Sequence, residues 1–327
     1  MTLEVHYAID PQEDALEILR SELQSNIHLT AGNEIPPHSD CQILVNGTPE
    51  PEHLQTSSHL NTLIIPYAGV PVKTRTLLLE YPQLKVYNLH HNAAPTAEMA
   101  IALLMAAAKF LVPFDRTFRT HDWAPRYQPN PSLLLEGKTV LILGFGNIGQ
   151  RVGRFCQALG MEVIGIRHQP TASLIPGVHA AVHPPEDLEQ ILPRVHALII
   201  TLPFTPQTEG LIGARQLSLM VPGGLVVNVG RGLIIDQEAL YHALEDGTLS
   251  SAGLDVWYNY PQTTDERIST PPADYPFHEL DNIVMSPHRG GGSSETASLR
   301  MHHLAQLLNA LYNGEPVPNQ VDVKIGY

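Results

Sequence analysis

The chain has 327 residues, 43% hydrophobic and 16% charged, which is material for one large or two ordinary domains with a substantial core. A formal net charge of −14 argues against nucleic acid as a partner, because phosphate binding needs clustered Lys and Arg. Two cysteines, Cys41 and Cys156, are too few for a disulfide scaffold and fit a reducing cytoplasm.

The start, MTLEVHYAID, is acidic and lacks a charged-then-apolar leader, so no signal peptide is expected. The first hundred residues form a weak α/β pattern. VHYAI, IHLTA, QILVNG, TLIIPYAG and LKVYNL read as strands; EDALEILRSEL and VKTRTLLLEYP read as helices. MAIALLMAAA (99–108) is too short to span a bilayer and reads as a buried helix, so no membrane is expected as a partner. The segment 115–135, with Pro, Arg and aromatic residues, is a poor core element and reads as an interdomain or subunit arm.

From residue 139 the pattern is regular. TVLIL, MEVIGI, HALIITL, LVVNV, AGLDVW and NIVMS are six short runs, apolar on both faces, as parallel strands covered by helices are. Between them, NIGQRVGRFCQAL puts Ile148, Val152, Phe155, Cys156 and Leu159 on one face, with Gly160 as C-cap. QEALYHALEDG follows Asp236, a credible N-cap. Such alternation implies a doubly wound α/β domain. The tail ETASLRMHHLAQLLNALYNG is a last amphipathic helix, able to return to the first domain.

After TVLIL comes GFGNIG, with Gly144, Gly146 and Gly149. Their spacing suits a tight turn, close approach to a pyrophosphate, and helix–strand packing with the phosphates at the helix N-terminus. A strand before it, a helix after it and a second strand on schedule are the context a dinucleotide site requires. Where an NAD site has Asp or Glu for the ribose 2′-OH, this chain has Arg167 and His168. A guanidinium suits a 2′-phosphate, which points to NADP, with NAD possible; a solvated surface Arg is the bland alternative.

In order and spacing, seven motifs resemble the D-isomer-specific 2-hydroxyacid dehydrogenases. They are YAGV (67–70), NAAPTAE (92–98), GFGNIG (144–149), TLPFTPQT (201–208), VNVGRG (227–232), GLDVW (253–257) and SPHRGG (286–291). The resemblance implies a Rossmann cofactor domain, 99–289, inserted into a smaller flavodoxin-like α/β substrate domain, 1–98 with 290–327. It also implies homodimers and a 2-keto or 2-hydroxy acid as the small-molecule partner. By the same resemblance, Ala68 and Gly69 bind the substrate carboxylate through their amides, and Asn92 joins them. Thr96, Asn147, Ile148, Thr201, Pro203, Thr208, Val229, Asp255, His288 and Gly290 line the cofactor, with Asp255 at its nicotinamide end.

Reducing a 2-keto acid needs a hydride donor, a cation for the carboxylate and carbonyl, and a proton donor. Arg231 stands between two glycines just past a strand end, where its planar fork can hold a carboxylate and polarise a carbonyl. The alternative is a surface or capping arginine. His288, framed by Ser286-Pro287 and Gly290-Gly291, suits proton transfer near neutrality.

The chain departs from the family at Tyr260. Most members have Glu-Pro there, the Glu pairing with the histidine; formate dehydrogenases have Gln-Pro, and also an Asn placed as Asn92 is before Glu98. The Lys of phosphite dehydrogenases is absent, Ala68 standing near its position. Three readings of Tyr260 compete: its hydroxyl replaces the carboxylate; it is packing, with Asp265, Glu266, Asp274 or Glu279 pairing with His288; or the site is disabled. The expected activity is NAD(P)-dependent reduction of a glyoxylate- or hydroxypyruvate-like acid to the D-2-hydroxy acid. The alternatives are formate oxidation and a dinucleotide-sensing protein without turnover.

Overall fold

The structure, a computed structural model, describes residues 2–9, 13–35, 40–317 and 319–326. It comprises two compact units, Met1–Asn92 with Gly292–Tyr327, and Ala93–Gly291.

The first unit contains β1 (Leu3–Tyr7), α1 (Glu13–Glu22), β2 (Ile27–Ala31), β3 (Ile43–Val45), α2 (Pro51–Gln55), β4 (Thr62–Ile65), α3 (Val72–Leu78) and β5 (Lys85–Asn88). Its sheet is parallel, in the order β2-β1-β3-β4-β5, the flavodoxin-like order. Both faces are buried, so successive residues serve opposite cores. Ile43 and Val45 join one cluster with Leu19, Leu304 and Leu308, while Leu44 joins the other with Leu63, Leu78 and Val86. β4 stops at Ile65 because Pro66 has no N–H to extend the ladder.

The second unit contains α4 (Ala93–Ala108), α5 (Leu111–Phe118), β6 (Thr139–Leu143), α6 (Asn147–Ala158), β7 (Glu162–Ile166), β8 (Ala181–His183), α7 (Leu188–Ile191), β9 (Ala197–Ile200), α8 (Ala214–Leu219), β10 (Gly224–Asn228), α9 (Gln237–Glu245), β11 (Leu249–Leu254) and β12 (Ile283–Met285). All seven strands are parallel, in the order β12-β11-β10-β9-β6-β7-β8. The alternation repeats here: Val140 and Ile142 pack with Ala97, Leu104, Val152 and Cys156, whereas Leu141 and Leu143 pack with Leu240, Trp257 and Phe277. The chain then re-enters the first unit as α10 (Thr296–Asn313), which packs on α1.

The expected boundary at 98/99 falls inside α4, a single helix packed on α6, β10 and β11. The helix caps are as the sequence suggests: Gly160 has φ +76°, and the Asp236 carboxylate accepts from the Ala239 N–H at 2.8 Å. β8 and the short helices α2, α7 and α8 carried no clear signal. Residues 115–135 include the end of α5, which buries none of its residues and leaves Phe118 half-exposed beside Trp123. No single helix among the described residues is long and apolar enough to cross a membrane.

Candidate active site

The sheet order of the second unit reverses direction at β6 and β9, and the loops at their C-terminal ends open the crevice where such sheets bind ligands. Gly144 follows β6 with φ +92°, a conformation that glycine adopts without strain. Its carbonyl is approached closely by Gly149, where a Cβ would lie 2.4 Å from the Gly144 oxygen. A Cβ at Gly146 would meet nothing within 4 Å, so the start of α6 faces open space. Its first-turn amides therefore have room for an anion, and a pyrophosphate fits this cradle. The Thr201 hydroxyl donates to the Gly144 carbonyl at 2.7 Å and ties the end of β9 to the same turn. Thr208 donates to the Pro203 carbonyl at 2.9 Å, and Val229 lies buried at the end of β10.

Arg167 and His168 follow β7, and no acid stands beside them before Gln169. The Arg167 guanidinium folds onto the next turn, donating to the carbonyls of Ala172 and Pro170, while its Nε is buried without a partner. A cation held by backbone carbonyls keeps its full charge, so a dianionic phosphate fits here better than a bare ribose hydroxyl.

Arg231 is held in place by the backbone around it. The Asn228 side chain accepts from the Gly230 N–H at 3.0 Å and donates to the Arg231 carbonyl at 2.9 Å. The guanidinium donates to the Gly230 carbonyl at 2.7 Å. Loss of water around it pushes its pKa below the ordinary value, with nearby Tyr260 opposing.

His288 has φ +57°, a left-handed backbone rare outside glycine. Asp255 holds that turn. Its carboxylate, 2% exposed, accepts from the Ser286 hydroxyl at 2.5 Å, the Arg289 N–H at 2.8 Å and the Gly290 N–H at 2.7 Å. One buried charge thus receives three donors, the condition under which a buried carboxylate stabilises its surroundings. The sequence reading assigned Asp255 only to the cofactor; this structural role was missed, although a lone acid in the apolar run AGLDVW was its signal.

The Tyr260 hydroxyl lies 3.0 Å from His288 Nδ1 and accepts from the Trp257 N–H at 3.1 Å. Three of the four acids considered as partners for His288 are engaged elsewhere. Glu266 accepts from the Gln262 N–H at 2.8 Å. Asp274 accepts from Asn259 and Gln237 at 2.9 and 2.8 Å, and Glu279 lies 3.9 Å from His278. Among the described residues no carboxylate comes within ion-pair distance of His288. Burial and the Arg231 charge lower the His288 pKa, with Asp255 opposing, which disfavours the imidazolium. Burial likewise raises the Tyr260 pKa, while the Trp257 N–H and Arg231 pull it back.

In the first unit, Ala68 and Gly69 lie in the bend after β4, where the Asn88 amide donates to the Ala68 carbonyl at 2.6 Å. Asn92 closes that unit's first segment, and Thr96 is buried in the first turn of α4.

Known proteins are similar to this chain in sequence and in fold. A glyoxylate reductase of Korarchaeum cryptofilum is 35% identical over 235 residues, 70% of this chain and 66% of that relative's length, just under two thirds. A D-isomer specific 2-hydroxyacid dehydrogenase of Xanthobacter autotrophicus, solved with NADPH and MES, has the same fold, with a TM-score of 0.79 over 100% of this chain and 99% of that one at 23% identity. A glyoxylate/hydroxypyruvate reductase of Sinorhizobium meliloti, solved with NADP and sulfate, superposes with a TM-score of 0.77 over the whole of both chains at 20% identity. The family model for the NAD binding domain of the D-isomer specific 2-hydroxyacid dehydrogenases matches residues 101–290, more than half of the chain. With the parallel sheet, the glycine cradle and the arginine and histidine loops on the same stretch, this chain belongs to the D-isomer specific 2-hydroxyacid dehydrogenase family.

Proposed function

We propose that the protein reduces a small 2-keto acid of the glyoxylate or hydroxypyruvate type to the D-2-hydroxy acid, with NADPH as the preferred cofactor. The carrying observation is the convergence of Arg231, fixed by its own loop through Asn228 and the Gly230 carbonyl, with His288, whose Nδ1 lies 3.0 Å from the Tyr260 hydroxyl. The relatives named glyoxylate reductase and glyoxylate/hydroxypyruvate reductase support the substrate class. A bound nicotinamide supplies the hydride. Arg231 holds the substrate carboxylate and stabilises the oxyanion that develops on the carbonyl oxygen, the Ala68 and Gly69 amides and Asn92 assisting on the substrate. His288 delivers the proton to that oxygen, and Tyr260 holds the imidazole.

Gly144, Gly146, Asn147, Ile148 and Gly149 cradle the pyrophosphate. Arg167 and His168 receive the 2′-phosphate. Thr96, Thr201, Pro203, Thr208, Val229, Asp255 and Gly290 line the remaining cofactor path. The protein acts in the cytoplasm as a homodimer, binding neither membrane nor nucleic acid. Cys41 and Cys156 are both buried thiols, which suits a reducing compartment. The substrate domain is 1–98 with 290–327, and the cofactor domain is 99–289.

The test is NADPH oxidation with a panel of 2-keto acids, the Arg231→Ala variant run beside the parent. Removing a donor aimed at a developing oxyanion costs on the order of 10²–10³ in turnover. Arg231→Ala is expected to lose that much kcat while its dissociation constant for NADPH stays within experimental error. Turnover equal to the parent's would remove Arg231 from the chemistry. NADPH binding with no 2-keto acid reduced would favour the sensing protein, and NADP reduction by formate would favour the formate branch.

A further inference from the structure

Three hydrogen-bonding groups in line set the direction of one proton. The Trp257 N–H can only donate, and it donates to the Tyr260 oxygen at 3.1 Å. The Tyr260 hydrogen is therefore directed away from Trp257, and His288 Nδ1 lies 3.0 Å from the oxygen. If Tyr260 donates to Nδ1, then Nδ1 is bare and the one ring hydrogen of a neutral His288 sits on Nε2. A carboxylate at position 260 would dictate the reverse, since it can only accept, and would draw the ring hydrogen to Nδ1.

We propose that Tyr260 is a proton relay that acts through His288. It holds the imidazole in its Nε2–H form and supplies Nδ1 with a proton as Nε2 gives one up. This rests on the reading of His288 as the proton donor in 2-keto acid reduction.

The step balances. The Nε2–H bond breaks and its proton bonds to the substrate's alkoxide oxygen. The Tyr260 O–H bond breaks and its proton forms Nδ1–H, so the ring stays neutral and the negative charge passes to the phenolate oxygen. To reset the site, Nδ1 returns its proton to the phenolate while Nε2 takes up, through water, the one solvent proton that each reduction consumes. No oxidant is needed.

Burial raises the Tyr260 pKa, and two features of the structure oppose that at the moment a phenolate forms. The Trp257 N–H already points at the oxygen, and Arg231 places a cation nearby. Tyr260 is 40% exposed, which gives water a route for the reset. The charged and titratable groups around the pair are Arg231 from the loop after β10, Asp255 from the end of β11, and Arg289 beside the histidine. Asp255 is committed to the 286–290 turn by three hydrogen bonds, so it cannot serve as the ring's acid. Without the relay, a neutral imidazole would have to leave as imidazolate, and reduction would require protonated His288. Burial and Arg231 disfavour that cation.

The relay and a simple imidazolium donor differ in pH dependence. An imidazolium donor loses rate about tenfold per pH unit above the ring's pKa. The relay keeps its proton until the tyrosine ionises. In the parent, kcat/KM for reduction at saturating NADPH is expected to stay level from about pH 6 through 8. Tyr260→Phe is expected to lie below the parent at every pH, because the imidazole loses its support, and to fall about a further tenfold per unit above the imidazole pKa. Parallel profiles for the two proteins would overturn the relay.

A second measurement needs no turnover. Nitrogen NMR of ¹⁵N-histidine-labelled protein, with the His288 signals assigned by His288→Asn, reads the tautomer directly. At pH 7.5 the expected form has Nε2 protonated and Nδ1 bare, and Tyr260→Glu is expected to move the hydrogen to Nδ1. A protonated Nδ1 in the parent would overturn the proposal. The two failures are separable. If no 2-keto acid is reduced, the activity reading falls and the tautomer alone decides the hydrogen bond. If acids are reduced but the tautomer is wrong, only the relay falls.

Discussion

At Arg167 a single side chain bears on the choice of cofactor. Its guanidinium sits at the end of β7, folded on backbone carbonyls, with no acid at the position where an NAD site carries one. A charged hydrogen bond to a phosphate contributes about 1.5–3 kcal/mol, or roughly one to two powers of ten in affinity. Arg167→Asp is therefore expected to reverse a preference for NADPH over NADH, measured as the ratio of the two dissociation constants. Equal affinity of the parent for both cofactors would refute the assignment. The sequence made Arg167, Arg231 and His288 legible because each interrupts a glycine-framed or strand-end pattern. It could not show how Tyr260 is oriented, because that depends on the Trp257 N–H, a backbone group with no residue signature. Nor could it show that Asp255 supports the left-handed turn at His288, since which amides converge on a carboxylate is a tertiary fact.

The legible elements were those with two buried faces. β6, β7, β9 and β10 are apolar except at an end residue and bury nearly every residue, so they were legible within a residue or two. β11 begins at Leu249 rather than 252, because Leu249 and Ser251 pair with Gly224 and Leu225 of β10, with Ser250 in an irregularity between them. β8 escaped notice for a related reason: it is a three-residue edge strand with no fully buried side chain. At this scale the junction of β6 and α6 makes a sharp prediction. A Cβ at Gly149 would lie 2.4 Å from the Gly144 oxygen and 3.1 Å from Ile142 Cγ2, backbone and core that cannot both retreat. Gly149→Ala is expected to lower stability by about 1–3 kcal/mol through overpacking. It should also weaken NADPH binding by moving the amides of α6 off the phosphates. Calorimetric unfolding with and without NADPH separates the two effects. A variant with parental melting temperature and parental NADPH affinity would show that helix and strand need no such close approach.

For the whole molecule, the order of the chain was easier to read than its boundaries. The sequence sends the final helix back to the first unit, and α10 does pack on α1, with Asn309 accepting from the Gln24 N–H at 3.0 Å. The proposed division at 98/99 and the division between the two compact units at Asn92/Ala93 both lie on or beside α4, whose residues are mostly small and apolar, which offers no mark in the sequence where one unit ends. The proposed homodimer belongs to this scale too. Leu111 is 59% exposed, Phe118 52%, Trp123 59% and Tyr127 80%, a run of large apolar side chains on one arm of the second unit. Phe118 and Trp123 stack edge-to-face at 4.8 Å, so the two rings present a single surface. Apolar groups of this size left in water cost free energy that association recovers, and aromatic residues are enriched where interfaces are most buried. A charge introduced there has no partner and must be desolvated on assembly. Trp123→Asp and Phe118→Asp are accordingly expected to shift the protein from dimer to monomer in sedimentation velocity. The far-UV spectrum should stay parental, since α5 buries none of its residues in the fold. If the parent sediments as a monomer, the homodimer is wrong; if both variants remain dimers, the contact lies on another face of the molecule.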